Sequence, residues 1–404
     1  MKACGLIVEY NPFHNGHLYH IQKAKEISQA DCIIAVMSGA FLQRGEPAII
    51  DKFHRTKAAL ASGVDIVLEL PYLYAVQSSD YFAYGAVNTL NEIGVESICF
   101  GSESGSITNL IASYKHYKGK ESVYKEKLKQ YLDEGMSFPD ASQLAYRAIG
   151  LTDTAIDLKK PNNILGFSYI KAIMDNHLSI EPLTVERIQS NFHDKDITTS
   201  IASATSIRKK LFETDAILEQ VKQTMPNETV RQLQRYKETA GLWHTWENYF
   251  PFLHYRVMTM SSKELQKIAG VDEGLENRLK KTAKDITTFK DWMHAIKTKR
   301  YTWTRLQRMF VHLLTNTKKS DLALIKQPSS VPYIRLLGLT QTGQTYLNKR
   351  KKDIAVPIVH KLGKDISLML KIDERASDAY YSILTPTLRY KYRQQERHGP
   401  IRLL

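Results

Sequence analysis

A chain of 404 residues is too long for one ordinary hydrophobic core, and its 43% hydrophobic content excludes a disordered protein. No apolar run approaches the length of a membrane span, and residues 1–20 are predicted as a first strand and helix start rather than a cleavable signal. The net charge of +14 is uneven: residues 281–404 hold 25 Lys and Arg against 9 Asp and Glu, whereas the first 280 hold 31 against 33. Charge placed this way predicts a polyanionic partner, nucleic acid, held by the last third of the chain. Cys4, Cys32 and Cys99 are an odd number without metal-ligand spacing. All three fall in predicted strands, so we expect buried reduced thiols, a cytoplasmic protein and no metal site.

The first predicted strand, Cys4 to Val8, stops at Asn11-Pro12, where proline has no N–H to continue a ladder. Leu18, Ile21, Gln22, Ala24 and Lys25 then fall into helical spacing. The loop delivers His14-Asn15-Gly16-His17 to the start of that helix, where unpaired N–H groups and the positive dipole end favour phosphate. Gly16 would let a nucleotide come close, and two imidazoles three positions apart can both donate to one anion. A second strand, Cys32 to Met37, ends in Ser38-Gly39 and is followed by Phe41-Leu42-Gln43-Arg44-Gly45-Glu46-Pro47. A helix is predicted from Asp51 to Ser62, with Asp51 its N-cap and Gly63 its stop. Val64 to Pro71 reads as a third strand, Ser78 to Ile93 as a helix, and Val95 to Phe100 as a fourth strand ending at Gly101-Ser102-Glu103. Strands alternating with helices describe an open, mostly parallel α/β sheet. In such sheets ligands bind off the carboxyl ends of the strands, where His14, His17, Arg44 and Gly101 fall.

Residues 105–150 read as a polar helical excursion. Lys160-Pro161-Asn162-Asn163 opens a helix over Ile164 to Asp175, and Pro182 to Ile188 is a fifth strand. Ser203-Ala204-Thr205-Ser206-Ile207-Arg208 then starts a helix whose hydroxyls and arginine suit the β- and γ-phosphates of a nucleotide, or simply cap the helix. We divide the chain into residues 1–215, a nucleotide-handling domain, and 216–404, a mostly helical basic region. There Trp303, Arg305, Arg308 and His312 mix aromatic and basic groups as an RNA surface would, although an amphipathic core helix has the same pattern. Lys349-Arg350-Lys351-Lys352 is expected to face phosphates.

His14-Asn15-Gly16-His17, placed after the first strand, resembles the HxGH signature of the nucleotidyltransferase superfamily that includes the class I aminoacyl-tRNA synthetases. The resemblance implies a Rossmann-like fold and two histidines that stabilise charge at the α-phosphate of ATP. Gly5 to His17, Met37-Ser38-Gly39, Gln43 to Pro47, Gly63 to Pro71 and Ser203 to Arg208, in this order, closely resemble the bacterial tRNA(Met) cytidine acetate ligases. Thr304 to Arg308 and Tyr333 to Gly338 extend the resemblance over nearly the whole chain. It implies ATP-dependent activation of acetate to acetyl-adenylate, with Mg²⁺ accompanying ATP, then transfer to the N4 amine of the wobble cytidine of elongator tRNA(Met). His14 and His17 would be catalytic. ATP would touch Ile7, Val8, Glu9, Tyr10, Asn11, Pro12, Phe13, His14, Asn15, Gly16, His17, Leu18, Tyr19 and His20, then Gly101, Asn162, Arg187 and Ile188, with Ser203, Thr205 and Arg208 at the outer phosphates. Three other readings stay open: a nucleotidyltransferase making a small adenylylated product or dinucleotide cofactor, an aminoacyl-tRNA synthetase, and a non-catalytic RNA-binding protein on a degenerate fold.

Overall fold

The computed structural model describes residues 1–151, 156–187, 202–326, 330–363 and 367–403. Its strands are β1 (Ala3–Val8), β2 (Cys32–Ser38), β3 (Ile66–Leu70), β4 (Ser97–Ser102), β5 (Glu181–Glu186), β6 (Ile334–Thr340), β7 (Ile358–Val359) and β8 (Ile401–Leu403). They form one sheet of order β5-β4-β1-β2-β3-β6-β7, with β8 also paired to β6. The first five strands are mutually parallel; β6 runs antiparallel to β3.

The near-continuous apolar character of the first strands follows from helices covering both faces. Along β2, Cys32, Ile34 and Val36 enter one core cluster, while Ile33, Ala35 and Met37 enter the other. The period-2 alternation of a strand therefore serves two cores at once. Cys4, Cys32 and Cys99 are buried and unpaired in a disulfide, and burial raises all three thiols as their packing in apolar strands requires.

Chain direction across the sheet fixes where a ligand can sit. From β1 the chain moves outward through β2 and β3, then crosses back so that β4 pairs the opposite side of β1. The connections leaving the carboxyl ends of β1 and β4 diverge there and leave a crevice, the topological switch point of a doubly wound sheet. Tyr10 to His17 leaves one of these ends and Glu103 the other.

The structure extends one expectation and corrects another. The region from Ala216 is mostly helical, but Ile334–Thr340, Ile358–Val359 and Ile401–Leu403 add three strands to the same sheet. Helix Pro161–Asp175 starts earlier than predicted, with Lys160 at its N-cap, so Asn162 lies in the first turn. Asp51 does cap helix Lys52–Ala61, accepting from the amides of Phe53 and His54 at 2.7 and 2.9 Å.

Helix Lys52–Ala61 and the C-terminal elements meet in a buried polar cluster. Lys52 Nζ lies 2.7 Å from Glu69 Oε2 and 2.6 Å from Glu396 Oε1, and all three side chains are buried. Arg335 on β6 donates to the Glu396 backbone at 3.0 Å and faces its carboxylate at 3.3 Å. Removing one member leaves a buried charge without its partner, at a cost of about 3–5 kcal/mol. Lys52→Met should therefore lower the urea midpoint strongly, and a midpoint equal to that of the parent protein would show that the cluster contributes nothing net.

Candidate active site

His14 is extended (φ −142°, ψ 173°) and caps helix Asn15–Ser28, accepting the Gly16 amide on Nδ1 at 3.0 Å. His17, three residues on, accepts the amide of His14 on its own Nδ1 at 3.2 Å. The pair forms a capping box built from two imidazoles in place of the usual hydroxyl and carboxylate. Their rings stack with centroids 3.8 Å apart.

This bonding assigns the protons. A ring nitrogen that accepts an amide N–H carries no hydrogen, so both neutral rings hold theirs on Nε2. Burial, reinforced by the Arg187 and Arg208 charges, lowers the pKa of His14 to about 3. Burial and then the His14 ring push His17 well below its ordinary value. Near neutrality both histidines are neutral donors through Nε2–H.

The helix-start amides differ from expectation. The Asn15 amide donates to Thr224 O at 2.9 Å, Gly16 to His14 Nδ1, and His17 to His14 O at 2.8 Å. No amide of Asn15, Gly16 or His17 is left unpaired to bind phosphate; the donors that the capping bonds leave over are the side-chain ring Nε2–H groups, at the positive end of the helix dipole. The segment Gln223–Thr224, which sequence reasoning did not single out, supports the His14–His17 turn, since Asn15 Nδ2 also donates to Gln223 O at 2.9 Å.

The residues before His14 hold the loop. Tyr10, at φ +48°, and Phe13 are buried, and their rings stand 4.9 and 5.6 Å from that of His17. Asn11 Oδ1 accepts the Ile49 amide at 2.8 Å. Ile7 and Val8 belong to β1 itself, and Leu18 packs against the core. His20 has a pKa lowered to about 4 by burial and then by Arg187.

Across the crevice, the expected Gly101, Asn162 and Arg187 do come together. Arg187 Nη1 donates to Asn162 Oδ1 at 2.7 Å, and Asn162 Nδ2 donates to Glu103 Oε1 at 2.7 Å. A Cβ at Gly101 would lie 3.1 Å from Arg187 Cγ, so the small residue makes room for the arginine. Glu103 also accepts the amides of Asn162 and Asn163 at 3.2 and 2.8 Å, an acidic cap on helix Pro161–Asp175. Ile188 lies outside the described residues.

Of the expected outer-phosphate group, Ser203 serves as N-cap of helix Ala204–Thr214, its Oγ accepting the Ser206 amide at 3.1 Å, and Thr205 is exposed. Arg208 donates to Asn11 O and to Glu46 Oε2, each at 2.9 Å, and ties two loops together. Arg55 went unnoticed in the sequence because it sits inside a helix without any motif. Its buried guanidinium donates to Glu9 O at 2.7 Å, to Ser38 O at 2.9 Å and to Gly39 O, joining the exits of β1 and β2.

The expected RNA-facing residues divide. Arg308 is half-buried and turned inward, donating to Gln43 O and Gln77 O at 3.3 and 3.1 Å. His312 is also buried, bonded to Tyr72 Oη at 2.8 Å. Arg305 lies over the Tyr301 ring at 4.7 Å and faces Asp272 at 3.8 Å. Arg350 packs against Gly94 and faces Asp353 at 3.6 Å, whereas Lys349, Lys351 and Lys352 are exposed.

An HxGH turn at the switch point of a doubly wound sheet defines a nucleotidyl transferase site. Accordingly, residues 1–397 match the model of the HIGH Nucleotidyl Transferase family. The chain is 56% identical over 401 residues to the tRNA(Met) cytidine acetate ligase of Oceanobacillus iheyensis, covering 99% of this chain and 100% of that one. The enzyme of that name from Bacillus subtilis is 46% identical over 406 residues, covering 100% and 97%. Thermotoga maritima TmcAL, in its apo crystal structure, superposes with a TM-score of 0.90 at 32% identity over the full length of both chains. The same protein bound with alpha-thio ATP gives 0.88. The chain belongs to the tRNA(Met) cytidine acetate ligase family of HIGH nucleotidyl transferases.

The tautomer assignment is testable by nitrogen-15 NMR of the imidazoles. His14 and His17 should both show the Nε2–H form and stay neutral from pH 8 to pH 5. A midpoint near 6.5 for either ring would contradict the capping arrangement.

Proposed function

We propose that the chain joins acetate to the N4 amine of the wobble cytidine of elongator tRNA(Met) at the expense of ATP. The observation that carries this reading is the His14–His17 pair, two neutral Nε2–H donors fixed at the switch point of the sheet. In the first step an acetate oxygen attacks the α-phosphorus and the bond to the β-phosphate breaks. Pyrophosphate leaves and acetyl-adenylate remains. Such a displacement needs positioning and charge stabilisation more than a protein nucleophile. His14 and His17 donate to the α-phosphate oxygens, whose negative charge grows in the transition state. Arg187 and Arg208 add positive potential, with Gly101 and Asn162 beside the nucleotide.

In the second step the cytidine N4 attacks the acetyl carbonyl, AMP departs, and the amine gives up a proton. N4 is a weak nucleophile because its lone pair is delocalised into the ring, and a mixed anhydride is reactive enough to meet it. The exposed lysines at 349, 351 and 352 are placed to hold tRNA phosphates.

The nearby carboxylates do not offer a cage for Mg²⁺. Glu9 accepts the Gln43 amide, Glu46 is paired with Arg208, and Glu103 caps a helix. Among the described residues no group of three His, Cys, Asp or Glu could hold a metal ion. We assign Mg²⁺ to the ATP phosphates. Among the described residues no helix is long and apolar enough to cross a membrane, and we infer that the enzyme works in the cytoplasm with its tRNA.

The test is incubation with ATP, labelled acetate and tRNA, followed by nucleoside analysis. N4-acetylcytidine should form with release of pyrophosphate, and acetyl-CoA should not replace the ATP and acetate. Product from acetyl-CoA alone would overturn the mechanism. His14→Asn sharpens the test, because asparagine is a good N-cap without the Nε2–H donor. It should fold normally and lose about a hundredfold or more in acetyl-adenylate formation, the scale of one positioned donor. A parental rate would remove His14 from the chemistry.

A further inference from the structure

The hairpin Phe41–Pro47 plays no part in the steps above, yet its backbone is fastened from both sides. Phe41 pairs with Pro47 in an antiparallel bridge, Leu42 N donates to Glu46 O at 2.9 Å, and Gly45 N donates to Leu42 O at 2.8 Å. Helix Trp303–Leu314 presses on one side. Gly45 has φ +77°, and a Cβ there would lie 2.4 Å from the Arg308 backbone nitrogen, so glycine alone permits the approach. From that helix Arg308 sends its guanidinium to Gln43 O.

The other side is bonded to the catalytic loop. Gln43 N donates to Glu9 Oε1 at 2.8 Å, and Arg208 joins Glu46 to Asn11 O. The residue before Arg44 and the residue two after it are thereby tied to positions 9 and 11, in the segment that leads from β1 to His14. Arg44 stands exposed at the tip between these ties. The bonds of Gln43 to Glu9 and of Glu46 through Arg208 to Asn11 bring this tip beside the segment that leads to the crevice.

Resting on the adenylation reading, we propose that Arg44 is a further catalytic residue, whose guanidinium holds the β- and γ-phosphates of ATP and stabilises the departing pyrophosphate. When the bond between the α-phosphorus and its bridging oxygen breaks, the electron pair leaves with pyrophosphate, and negative charge collects there, beyond the histidine donors. A planar guanidinium matches phosphate oxygens two at a time. A hairpin already fixed by the fold presents it without ordering a loop at the moment of reaction. A solvated arginine on a surface turn would need neither an inward-turned arginine behind it nor bonds to the loop before His14.

The experiment is acetate-dependent exchange of labelled pyrophosphate into ATP by the full chain, without tRNA, alongside tRNA affinity for each variant. The parent protein should exchange. Arg44→Ala should lose about a hundredfold in kcat/KM for ATP, Arg44→Lys should recover part of it, and both should keep the parental tRNA affinity. Thermal midpoints measured for each variant separate a catalytic loss from misfolding. Exchange at the parental rate in Arg44→Ala overturns the proposal, and weakened tRNA binding in that variant would assign the arginine to RNA. No exchange in the parent protein would sink the adenylation reading itself, and this inference with it.

Discussion

His14 and His17 each use one ring nitrogen to finish the helix that begins between them. That double use is the constraint on which the site depends. An imidazole on a flexible loop could rotate, flip or take up a proton as surroundings change. Here Nδ1 of both rings is committed to backbone amides, so Nε2 alone is left for the nucleotide. Burial keeps both rings neutral, with Arg187 and Arg208 reinforcing it at His14, and neutral rings do not repel one another at a centroid distance of 3.8 Å. On the proposed reading the site stabilises charge by fixed dipoles at the helix start, with formal positive charge from the arginines around it.

The turn is held in turn by the rest of the chain. Arg55 joins the ends of β1 and β2, while Tyr380 Oη donates to Ala48 O at 2.8 Å and the His244 amide donates to Ile49 O at 3.2 Å. Ile49 in turn gives its amide to Asn11, one residue before the proline of the catalytic loop. Elements far along the sequence thus reach the chemistry through two bonds of backbone. The buried Lys52–Glu69–Glu396 cluster fastens the C-terminal helix to the same region. Groups at such a junction couple folding of the basic region to the shape of the nucleotide site.

The parallel sheet and its crevice were legible because buried strands read as short apolar runs and Asn-Pro, Ser-Gly and Gly-Ser stops mark their ends. The histidine pair was legible as a local pattern. The tautomers were not, since they depend on which amides each ring accepts. Ser203 fitted a phosphate ligand or a helix cap, two roles that share one residue type at one position; the structure shows the cap. Arg308 looked like an RNA contact for a similar reason: an amphipathic helix shows spacing but not which arginine turns inward. β6 was hidden because an added antiparallel strand at position 334 pairs with β3 across a sequence separation that no local pattern reveals. Arg55 and the Gln223–Thr224 support belong to the same class of long-range bonds.

The most direct measurement is a crystal structure of this chain with an unreactive acetyl-adenylate mimic in which a sulfamoyl group replaces the phosphate. The account predicts Nε2 of both His14 and His17 within hydrogen-bond distance of the sulfamoyl oxygens, while each Nδ1 keeps its amide. A mimic bound in the crevice with either ring turned away, or with an Nδ1 released to contact it, would contradict the claim that one capping box both builds the helix and performs the chemistry.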